Sequence, residues 1–554
     1  MPPAASLSVV ALTGLALVPV ALAAGATLEC SNPSQLITKL DDLFSSTSAI
    51  GCSGSQLQKD NAGGYWGEQY AKNASIVVYP STAKDVQDAV SAFVSSEKGG
   101  KTELAFGSGF HGMTGAAATD GYMIDLKYLN KTELVYKEAF DGSIPAETVI
   151  TYEGGARWGD VLKTTNGTGY TVVGARDSTV GVGGFSTGGG IGFLAGAYGF
   201  SGDRLLAMDV VLMDGTLVTA TKANKYADLF WAIQGGGGQF GIVTKFYQKA
   251  ALEPKLSHFH LWVVANESET QAQENTATFF ESNTDPFTLM YYGYGYLPAD
   301  IQNPTRDLAG RTVLIGVQFG NPADDAKQPG FHEVFNNQTL LKGVKTLSDV
   351  DYDLPYANAF EVINQFFPYG LRRGFWGPQT TKVTSGLLQD TKTIVKDWLD
   401  SLLATGEKPL TSLWAVQYMY PGLNGNLPAK SEDTAWPHTV AGHQTLFSPG
   451  WALPKNDKQT LETNTKINNL IYDHQSKVGP FLADYPNYIS PDSEGHRVWG
   501  DNVQRLIDIK EKYDPDCIIA QGRVFASAGC TKRGKANIFA KSGSGPKMKY
   551  KRRQ

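Results

Sequence analysis

The spacing of apolar residues alternates between helical and extended patterns along the chain. After a Ser81 cap, apolar side chains recur every three or four residues, which predicts a helix over 81–97. Asp214-Gly215 separates two apolar runs and predicts the turn of a hairpin over 209–220. The same reasoning predicts helices at 157–166 and 226–234 and strands at 103–106, 122–126, 148–155, 169–175 and 240–248.

Glycine is concentrated in one stretch. Residues 154–241 contain 22 glycines in 88 positions and no proline. Hydrophobic strands run through this stretch, so its composition is not that of a linker. Glycine at this density predicts backbone packed closely against a large flat ligand.

The following part of the chain, 255–480, has fewer glycines and clusters of aromatic residues. Extended runs alternate there with helical ones such as 356–367, which predicts a second domain, an antiparallel sheet with helices on one face. Residues 496–517 then predict a helix that Pro515 ends. These patterns together predict an α+β fold.

Composition and charge narrow the class of protein. The chain has 554 residues, enough for two or three domains, and its 42% hydrophobic and 18% charged residues are typical of a soluble globular protein. The net charge of −6 argues against nucleic acid or an anionic membrane as a partner. The last 24 residues carry nine Lys and Arg and no acid, so we interpret 529–554 as a basic disordered tail.

The beginning of the chain and its sequons predict secretion. Residues 1–23 form an apolar run that ends in Ala21-Leu-Ala23, a signal-peptide pattern for which a membrane anchor is the alternative. Five N-x-S/T sequons predict glycosylation, at Asn73, Asn130, Asn166, Asn266 and Asn337.

Four cysteines fit the same compartment. Cys30 and Cys52 are close enough in sequence to form a disulfide, and Cys517 with Cys530 is a second possible pair, although the sequence does not fix the connectivity. Neither a C-x-x-C nor an H-E-x-x-H motif occurs, so we predict no metal site.

Two short motifs lack the context that they need. Residues 190–195 match G-x-G-x-x-A, and residues 184–188 match the G-x-S-x-G elbow around Ser186. Both motifs require a strand before them and a helix after them. Glycine-rich sequence flanks both instead, so we favour neither a dinucleotide-binding Rossmann site nor a serine hydrolase.

Six segments follow one another along the chain: SGFHGMTG (108–115), DSTVGVGGFSTGGGIGFLAGAYGFSGDRL (177–205), VVLMDG (210–215), DLFWAIQGGGGQFGIVTKF (228–246), YPNYIS (485–490) and EKYDPD (511–516). In this order and spacing they resemble the berberine-bridge-enzyme-like flavoproteins of the vanillyl-alcohol-oxidase/p-cresol-methylhydroxylase (PCMH) superfamily. The resemblance covers about 65–525. It implies a PCMH-type FAD-binding domain of two subdomains and an antiparallel-sheet substrate domain with helices on one face.

The resemblance also implies domain boundaries. We expect the FAD-binding domain at 24–253, with its core at about 72–250, and the substrate domain at 254–484. Residues 485–528 would then return to the FAD-binding domain.

The resemblance assigns His111 to the histidine that is bonded to the 8α-methyl of FAD. Many relatives have a second bond through a cysteine, at the position that Asp177 occupies here. The resemblance therefore implies a single covalent bond. The other implied FAD contacts are Ser108, Gly109, Phe110, Gly112, Met113, Asp177, Thr179, Gly181, Gly184, Gly188, Asp203, Ile242 and Val243.

The implied catalytic residues are less uniform. Tyr485-Pro-Asn487-Tyr488 matches a Y-x-N-Y strand that supplies a tyrosine base in many relatives, and Tyr485 would need a neighbour that lowers its pKa. His438 is the other candidate base. Gln417 stands near a position where some relatives have glutamate, and a glutamine cannot act as a base. Tyr418 and Arg372 are further candidates for the wall of the pocket.

We therefore predict a secreted, monomeric FAD-linked oxidoreductase. It would move a hydride from an alcohol, amine or activated C–H bond of a small molecule to flavin N5, with O2 as acceptor and H2O2 as product. Small-molecule biosynthesis is favoured over oxidation of oligosaccharides. A flavin-binding protein that catalyses a non-redox cyclisation, or only binds a ligand, is the alternative from another class.

Overall fold

A computed structural model describes residues 27–96, 103–140, 144–296, 310–320, 335, 339–364, 366–407, 411–522, 524–534 and 538–539. The predicted signal peptide and most of the predicted tail lie outside these residues. Within them, no helix combines the length and the apolar composition that a membrane span requires.

The N-terminal part contains a mixed five-stranded sheet. Its strands, in spatial order, are Thr27–Glu29, Ala49–Cys52, Ile76–Tyr79, Tyr122–Asp125 and Leu104–Gly107. The last three strands run parallel, and the helix Ala83–Ser96 forms the crossover between the first two of them along the chain. The helices of this part are Gln35–Leu43, Gln56–Gly63 and Ala83–Ser96, the last of which matches the predicted helix.

A second five-stranded sheet follows, and it is antiparallel throughout. Its order is Leu217–Thr221, Leu205–Val211, Ile242–Lys249, Ile144–Glu153 and Thr132–Phe140. The predicted hairpin is present, and Gly215 in its turn has a positive φ of 83°. The helices of this part are Trp158–Thr165, Val182–Thr187, Ala195–Tyr198 and Ala227–Gly236.

The predicted strand 169–175 is much shorter in the structure. Only Tyr170–Thr171 pairs, with Ala251–Leu252. Gly174 instead packs against the Trp158 ring, where an added Cβ would lie 2.5 Å from a ring atom. Close packing on an aromatic ring thus replaces strand pairing at this position.

A third sheet, with seven strands, lies between residues 256 and 448. Seven antiparallel strands form it, in the order Thr346–Pro355, Leu256–Val264, Arg311–Phe319, Thr288–Gly295, Leu413–Gln417, His443–Ser448 and Gln379–Thr380. The helices Glu269–Ser282, Ser385–Ala404 and Asp457–Val478 share one apolar core with one face of the sheet. This arrangement confirms the predicted antiparallel sheet with helices on one face.

The period of two along these strands places alternate residues on opposite faces. Tyr292 and Trp414 point into the core beneath the helices. Phe259, Ile315 and Leu446 belong to a different cluster, which they share with Ile191 and its neighbours from the glycine-rich part. The sheet is therefore covered by helices on one side and by loops and short helices of the glycine-rich part on the other.

The predicted helix 496–517 is divided in the structure. It consists of Gly495–Trp499, a 3-10 turn at Gly500–Asn502 and Val503–Tyr513. Gly500 has a positive φ of 51°, which an uninterrupted right-handed helix does not contain. The break brings the Trp499 ring against Gly235, whose carbonyl accepts a hydrogen bond from Trp499 Nε1.

The short elements complete the inventory. The helix Ala359–Asn364 and the paired strands Arg372–Arg373 with Gly450–Trp451 belong to the second domain. The remaining 3-10 turns are Glu68–Tyr70, Leu126–Tyr128, Gly202–Arg204, Asn266–Ser268, Tyr356–Asn358, Pro421–Asn426, Pro454–Asn456 and Pro486–Tyr488.

Two disulfides are present, Cys30–Cys52 and Cys517–Cys530. The second one corrects the start of the predicted tail. It ties the helix Ala528–Lys532 to the preceding segment, and Val524–Phe525 pairs with Ile538–Phe539. Residues 540–554 lie outside the described part of the chain.

Four of the five predicted glycosylation sites are exposed, namely Asn73, Asn130, Asn166 and Asn266. Asn337 lies outside the described residues. An attached glycan requires an exposed asparagine, and these four meet that requirement. Their glycosylation stays a prediction.

Candidate active site

A cavity of about 390 Å³ lies between the seven-stranded sheet and the glycine-rich loops. Residues 106–114, 236–239 and 485–489 form much of its wall, together with side chains from 175–191 and from the sheet. Its volume and its mostly apolar lining are typical of a site for a cofactor and a small molecule.

Two glycine loops cross at the wall of this cavity. A Cβ on Gly109 would lie 2.1 Å from the Gly181 backbone nitrogen, so neither position has room for a side chain. Arg157 joins the two loops, because its guanidinium donates hydrogen bonds to the carbonyls of Gly109 and Thr179. This cradle exposes backbone rather than side chains to a ligand.

The cavity fits FAD by the chemistry of its wall. Loops of glycine give a flat ring and a pyrophosphate close access to backbone N–H groups. The side-chain nitrogen Nε2 of Gln521, which lines the cavity, is buried and has no hydrogen-bond partner among the described residues. A polar ligand would satisfy that donor.

We expect Gly181→Ala to lose bound flavin and to lower the melting temperature. The added Cβ would lie 2.3 Å from the Gly109 nitrogen and would separate the two loops. The loss of stability should be about 1–3 kcal/mol, as for overpacked sites. Visible absorbance and thermal unfolding measure the two effects. Gly184→Ala is the control for stability, because its Cβ meets no atom within 4 Å, and an equal loss of stability there would contradict the explanation.

His111 lies in the first glycine loop, at the cavity wall. Its ring stacks on Trp66 with centroids 5.3 Å apart. Its Nε2 lies 3.0 Å from Thr179 Oγ1 and 2.9 Å from the Tyr369 hydroxyl. Burial and, behind it, the charge of Arg157 lower the pKa of His111 to about 3, so the ring is neutral at physiological pH.

Asp177 determines the tautomer of this ring. Asp177 Oδ1 accepts hydrogen bonds from the Thr179 backbone nitrogen at 2.7 Å and from Thr179 Oγ1 at 2.6 Å. Because the Thr179 hydroxyl hydrogen is used in that bond, its oxygen can only accept from His111. The proton of His111 is therefore on Nε2, and Nδ1 has the free lone pair.

Arg176 lies on the side of the cavity that the seven-stranded sheet forms. Its guanidinium donates to the Gln417 side-chain oxygen and to the Tyr488 hydroxyl. The Gln417 oxygen also accepts from the Tyr291 hydroxyl at 3.3 Å. Gln417 itself does not line the cavity; its amide supports Arg176 from behind.

Tyr485 and Asn487 lie together in the wall. The Tyr485 oxygen accepts hydrogen bonds from the Ile191 backbone nitrogen at 2.9 Å and from Asn487 Nδ2 at 3.0 Å. Burial raises the pKa of Tyr485 above its ordinary value, and Arg176 lowers it only as a smaller effect. A tyrosine base needs a neighbour that lowers its pKa, and here burial outweighs the effect of Arg176. Tyr485 is therefore a phenol at neutral pH.

His438 does not line this cavity and does not fit the predicted role of a base. Its Nδ1 lies 2.6 Å from the Trp436 carbonyl oxygen, and its Nε2 lies 2.9 Å from an Asp203 carboxylate oxygen. Both ring nitrogens thus face hydrogen-bond acceptors of the protein, and neither is directed at a substrate. The contact with Asp203 connects the second domain to the FAD-binding part and does not reach a substrate in the cavity.

The remaining predicted positions divide into two groups. Those that line the cavity are Ser108, Gly109, Phe110, His111, Gly112, Met113, Asp177, Gly181, Gly184, Gly188, Val243, Tyr485, Asn487 and Tyr488. Thr179, Asp203 and Ile242 are not part of its wall; Thr179 acts through His111, and Ile242 packs in an apolar core. Tyr418 donates to the Asn283 carbonyl, and Arg372 pairs with Asp457, both away from the cavity.

Ser186, the serine of the G-x-S-x-G motif, is buried in the protein core. It lies within the helix Val182–Thr187, and its hydroxyl is 3.1 Å from that of Tyr152. No exposed nucleophile results, which agrees with the sequence-based decision against a hydrolase.

Sequence reasoning missed several residues of the wall. Trp66 and Tyr291 line the cavity, and Arg157 joins its two glycine loops; none of the three belongs to a short motif, and only the folded chain brings them to the site. The run of glycines 235–238 could have been predicted to contact the ligand, since 236–238 line the cavity. Arg176 stands beside Asp177 in the sequence, where an arginine among apolar residues could have been singled out.

Two family models match the chain. The model described as FAD binding domain matches residues 74–221, and the model described as berberine and berberine like matches residues 484–518. The first range contains the crossing glycine loops, and the second contains Tyr485, Asn487 and Tyr488. FAD is therefore the cofactor of this cavity.

Curated relatives agree. The chain is 30% identical over 482 residues to the FAD-dependent monooxygenase tpcD of Cochliobolus heterostrophus, a match that covers 82% of this chain and 84% of that protein. It is 31% identical over 236 residues to the FAD-dependent monooxygenase drtC of Aspergillus calidoustus, which covers 42% of this chain and 43% of that protein.

Solved structures share the fold. A variant of berberine bridge enzyme has a TM-score of 0.69 at 16% identity, over 88% of this chain and 98% of that one. The glucooligosaccharide oxidase of Acremonium strictum has a TM-score of 0.67 at 16% identity, over 88% and 97%. Together with the two family models and the length of the tpcD match, these similarities show that the chain belongs to the berberine-bridge-enzyme-like family of FAD-linked oxidoreductases.

Proposed function

We propose that the protein is a secreted oxidoreductase that oxidises an alcohol, an amine or an activated C–H bond of a small molecule, with dioxygen as acceptor and hydrogen peroxide as product. The observation that carries this proposal is a single cavity that joins the glycine cradle and His111 to the polar groups of Arg176, Asp177 and Tyr485. The two disulfides support an oxidising compartment.

His111 would hold the flavin through one bond, and Nδ1 is the nitrogen that would form it. Nε2 keeps its proton because it donates to Thr179, so only Nδ1 offers a lone pair. A related arrangement supports this choice, since glucooligosaccharide oxidase of Acremonium strictum carries 6-S-cysteinyl, 8α-N1-histidyl FAD. Asp177 stands where a second, cysteinyl bond would need sulfur, so a single bond is expected here.

When bound, FAD supplies the oxidised ring that takes up the hydride. The proton that leaves the substrate needs a base in the wall. Among the described residues that line the cavity, Asp177 is the only carboxylate, and burial raises its pKa above the ordinary value. A carboxylate with a raised pKa is a more effective base near neutral pH, so we assign this role to Asp177.

Tyr485 would position the substrate. Its oxygen accepts two N–H groups, so its own hydrogen is available to the cavity. Asn487 holds that hydroxyl in place and donates also to the Phe185 carbonyl at 3.1 Å. Tyr485 is thus a donor to the reacting oxygen or nitrogen rather than the base.

A carbohydrate is the second candidate substrate. Chitooligosaccharide and glucooligosaccharide oxidases share the fold, and the wall contains aromatic rings such as Phe367, Phe375 and Tyr488 on which a sugar could stack. The enclosing apolar wall favours a smaller and more hydrophobic molecule, so we rank oligosaccharides second.

Anaerobic mixing tests the function. The purified protein is mixed with aromatic alcohols, amines and oligosaccharides in turn, and the visible flavin absorbance is followed. We expect one class to bleach the flavin and, after dioxygen is admitted, to yield one peroxide per molecule oxidised. Bleaching by dithionite but by no substrate class would contradict an oxidoreductase that acts on small molecules and would favour the non-redox alternative.

A further inference from the structure

Arg176 holds a charge that its described surroundings do not neutralise. Its guanidinium contacts the Gln417 oxygen and the Tyr488 hydroxyl, and the Tyr291 ring centre lies 6.0 Å away. Within the described part of the chain, no carboxylate lies within ion-pair distance of it. The nearest carboxylate in sequence, Asp177, is turned toward Thr179.

Other partly buried arginines of the described chain have acceptor partners, which are carboxylates for some and backbone carbonyl oxygens for Arg157, Arg204 and Arg373. Arg372 pairs with Asp457, and Arg497 lies 3.5 Å from an Asp484 oxygen. A charge withdrawn from water normally has such a partner, because its desolvation is otherwise costly. Arg176 differs in that its side chain forms part of a cavity wall, where a ligand could supply the missing charge.

The hydrogen-bond inventory around Arg176 has an excess of donors. A guanidinium has five N–H hydrogens; Gln417 and Tyr488 each accept one of them, and the Tyr291 side chain is a further hydrogen-bonding neighbour of Arg176. The oxygens of Tyr485 and Tyr488 already accept, and neither hydroxyl donates to a described residue. This part of the cavity therefore offers several N–H and O–H donors and calls for a ligand rich in acceptors.

The pyrophosphate of FAD is one anion that must be considered. Arg176 is held by Gln417, at the end of a strand of the seven-stranded sheet, whereas Arg157 is the arginine that contacts the Gly109 loop. Arg157 thus acts on the glycine loops, whereas Arg176 belongs to the wall that the seven-stranded sheet forms.

We propose that Arg176, with the hydroxyls of Tyr485 and Tyr488, forms a subsite for an anionic oxygen group of the substrate. This inference rests on the proposed function, because the subsite lies in the same cavity. The substrate class is a small molecule with an apolar body, held among Phe367, Phe375 and Ile315, and a carboxylate or ionised acidic hydroxyl at one end. Arg176 then determines specificity and orientation, while Asp177 remains the base.

Ligand titration of the flavin spectrum tests the subsite. Benzoate is compared with benzamide, a neutral molecule of the same shape, in the wild-type holoprotein, Arg176→Gln and Arg176→Lys. We expect benzoate to bind the wild type about 10- to 100-fold more tightly than benzamide, as a charge-assisted bidentate contact allows. Arg176→Gln should abolish this preference, and Arg176→Lys should retain part of it.

The controls separate this inference from the proposed function. Arg505→Gln removes an exposed arginine outside the cavity and should leave the preference unchanged. Arg176→Gln is also combined with His111→Ala, in which no covalent bond can retain the flavin; flavin that stays bound in the double variant excludes a role of Arg176 in holding the pyrophosphate, and loss of flavin there but not in His111→Ala alone would overturn the subsite. Equal binding of benzoate and benzamide by the flavin-loaded wild type would overturn it as well, and would leave the oxidoreductase assignment intact.

The source of the anion is distinguished by a third probe. Binding of 4-nitrophenol that appears only above the pH at which it ionises would show that a phenolate occupies the subsite. Benzoate binding that stays constant over the same pH range, with no binding of 4-nitrophenol at any pH, would identify a carboxylate. A preference for the un-ionised phenol would contradict an anion subsite.

Discussion

In His111→Ala, we expect flavin to leave the protein completely on acid precipitation, whereas the wild type should keep its yellow colour in the pellet. The ring at position 111 is the only imidazole among the described residues of the cavity wall, and its Nδ1 has the free lone pair. The visible spectra of pellet and supernatant measure the effect. The variant should still bind FAD non-covalently, because the glycine cradle does not depend on the imidazole.

Thr179→Val gives the matched test of the mechanism of attachment. The substitution keeps the shape of the side chain and removes the hydroxyl that accepts from Nε2. Without that bond the ring can move its proton to Nδ1, so the fraction of flavin retained in the pellet should fall. Tyr369→Phe serves as the control for the other contact of Nε2. Full retention in His111→Ala would refute the histidyl bond, and full retention in Thr179→Val would refute only the role of the tautomer.

Asp177→Asn should lower kcat by about 10²- to 10⁴-fold, the usual contribution of a general base. The amide keeps an oxygen that can accept from Thr179, so the loop and the flavin bond should survive. Only the ability to take a proton is removed. Steady-state turnover with the best substrate, normalised to bound flavin, measures the change.

The pH profile gives the sign of the effect. Burial raises the pKa of Asp177 above its ordinary value, and a base is active only when it is deprotonated. The wild-type rate should therefore rise with pH through that raised pKa and become level above it. The rising limb should be absent in Asp177→Asn and present in Tyr485→Phe. A limb that persists in Asp177→Asn would assign the proton to another group.

The FAD loops could be predicted from the sequence because their glycine-rich motifs are runs of neighbouring residues. His111, Gly109 and Gly181 were assigned by the family resemblance that these local motifs carry, and the structure places all three in one wall. The substrate side could not be predicted equally well. Arg176 and Gln417 are 241 positions apart, and only the pairing of strands in the seven-stranded sheet brings them into contact.

The bases illustrate the same limit. His438 and Tyr485 have the right chemistry for a base, and a sequence does not reveal what surrounds a side chain. The Asp203 carboxylate contacts Nε2 of His438, and burial raises the pKa of Tyr485 so that its hydroxyl keeps the proton. Asp177 was identified as the residue in place of a cysteine, and its raised pKa follows only from the folded wall.

The order in which the chain supplies this cavity has a consequence for biosynthesis. Its walls come from 106–114, from 236–239, and finally from 485–489 and Gln521. A ribosome completes the last wall only after residue 521 has been added, so nascent chains that lack it have a binding surface open on one side. Cofactor capture should therefore follow the synthesis of this segment, and the supply of FAD to chains that contain it, rather than to shorter ones, would limit the yield of active protein.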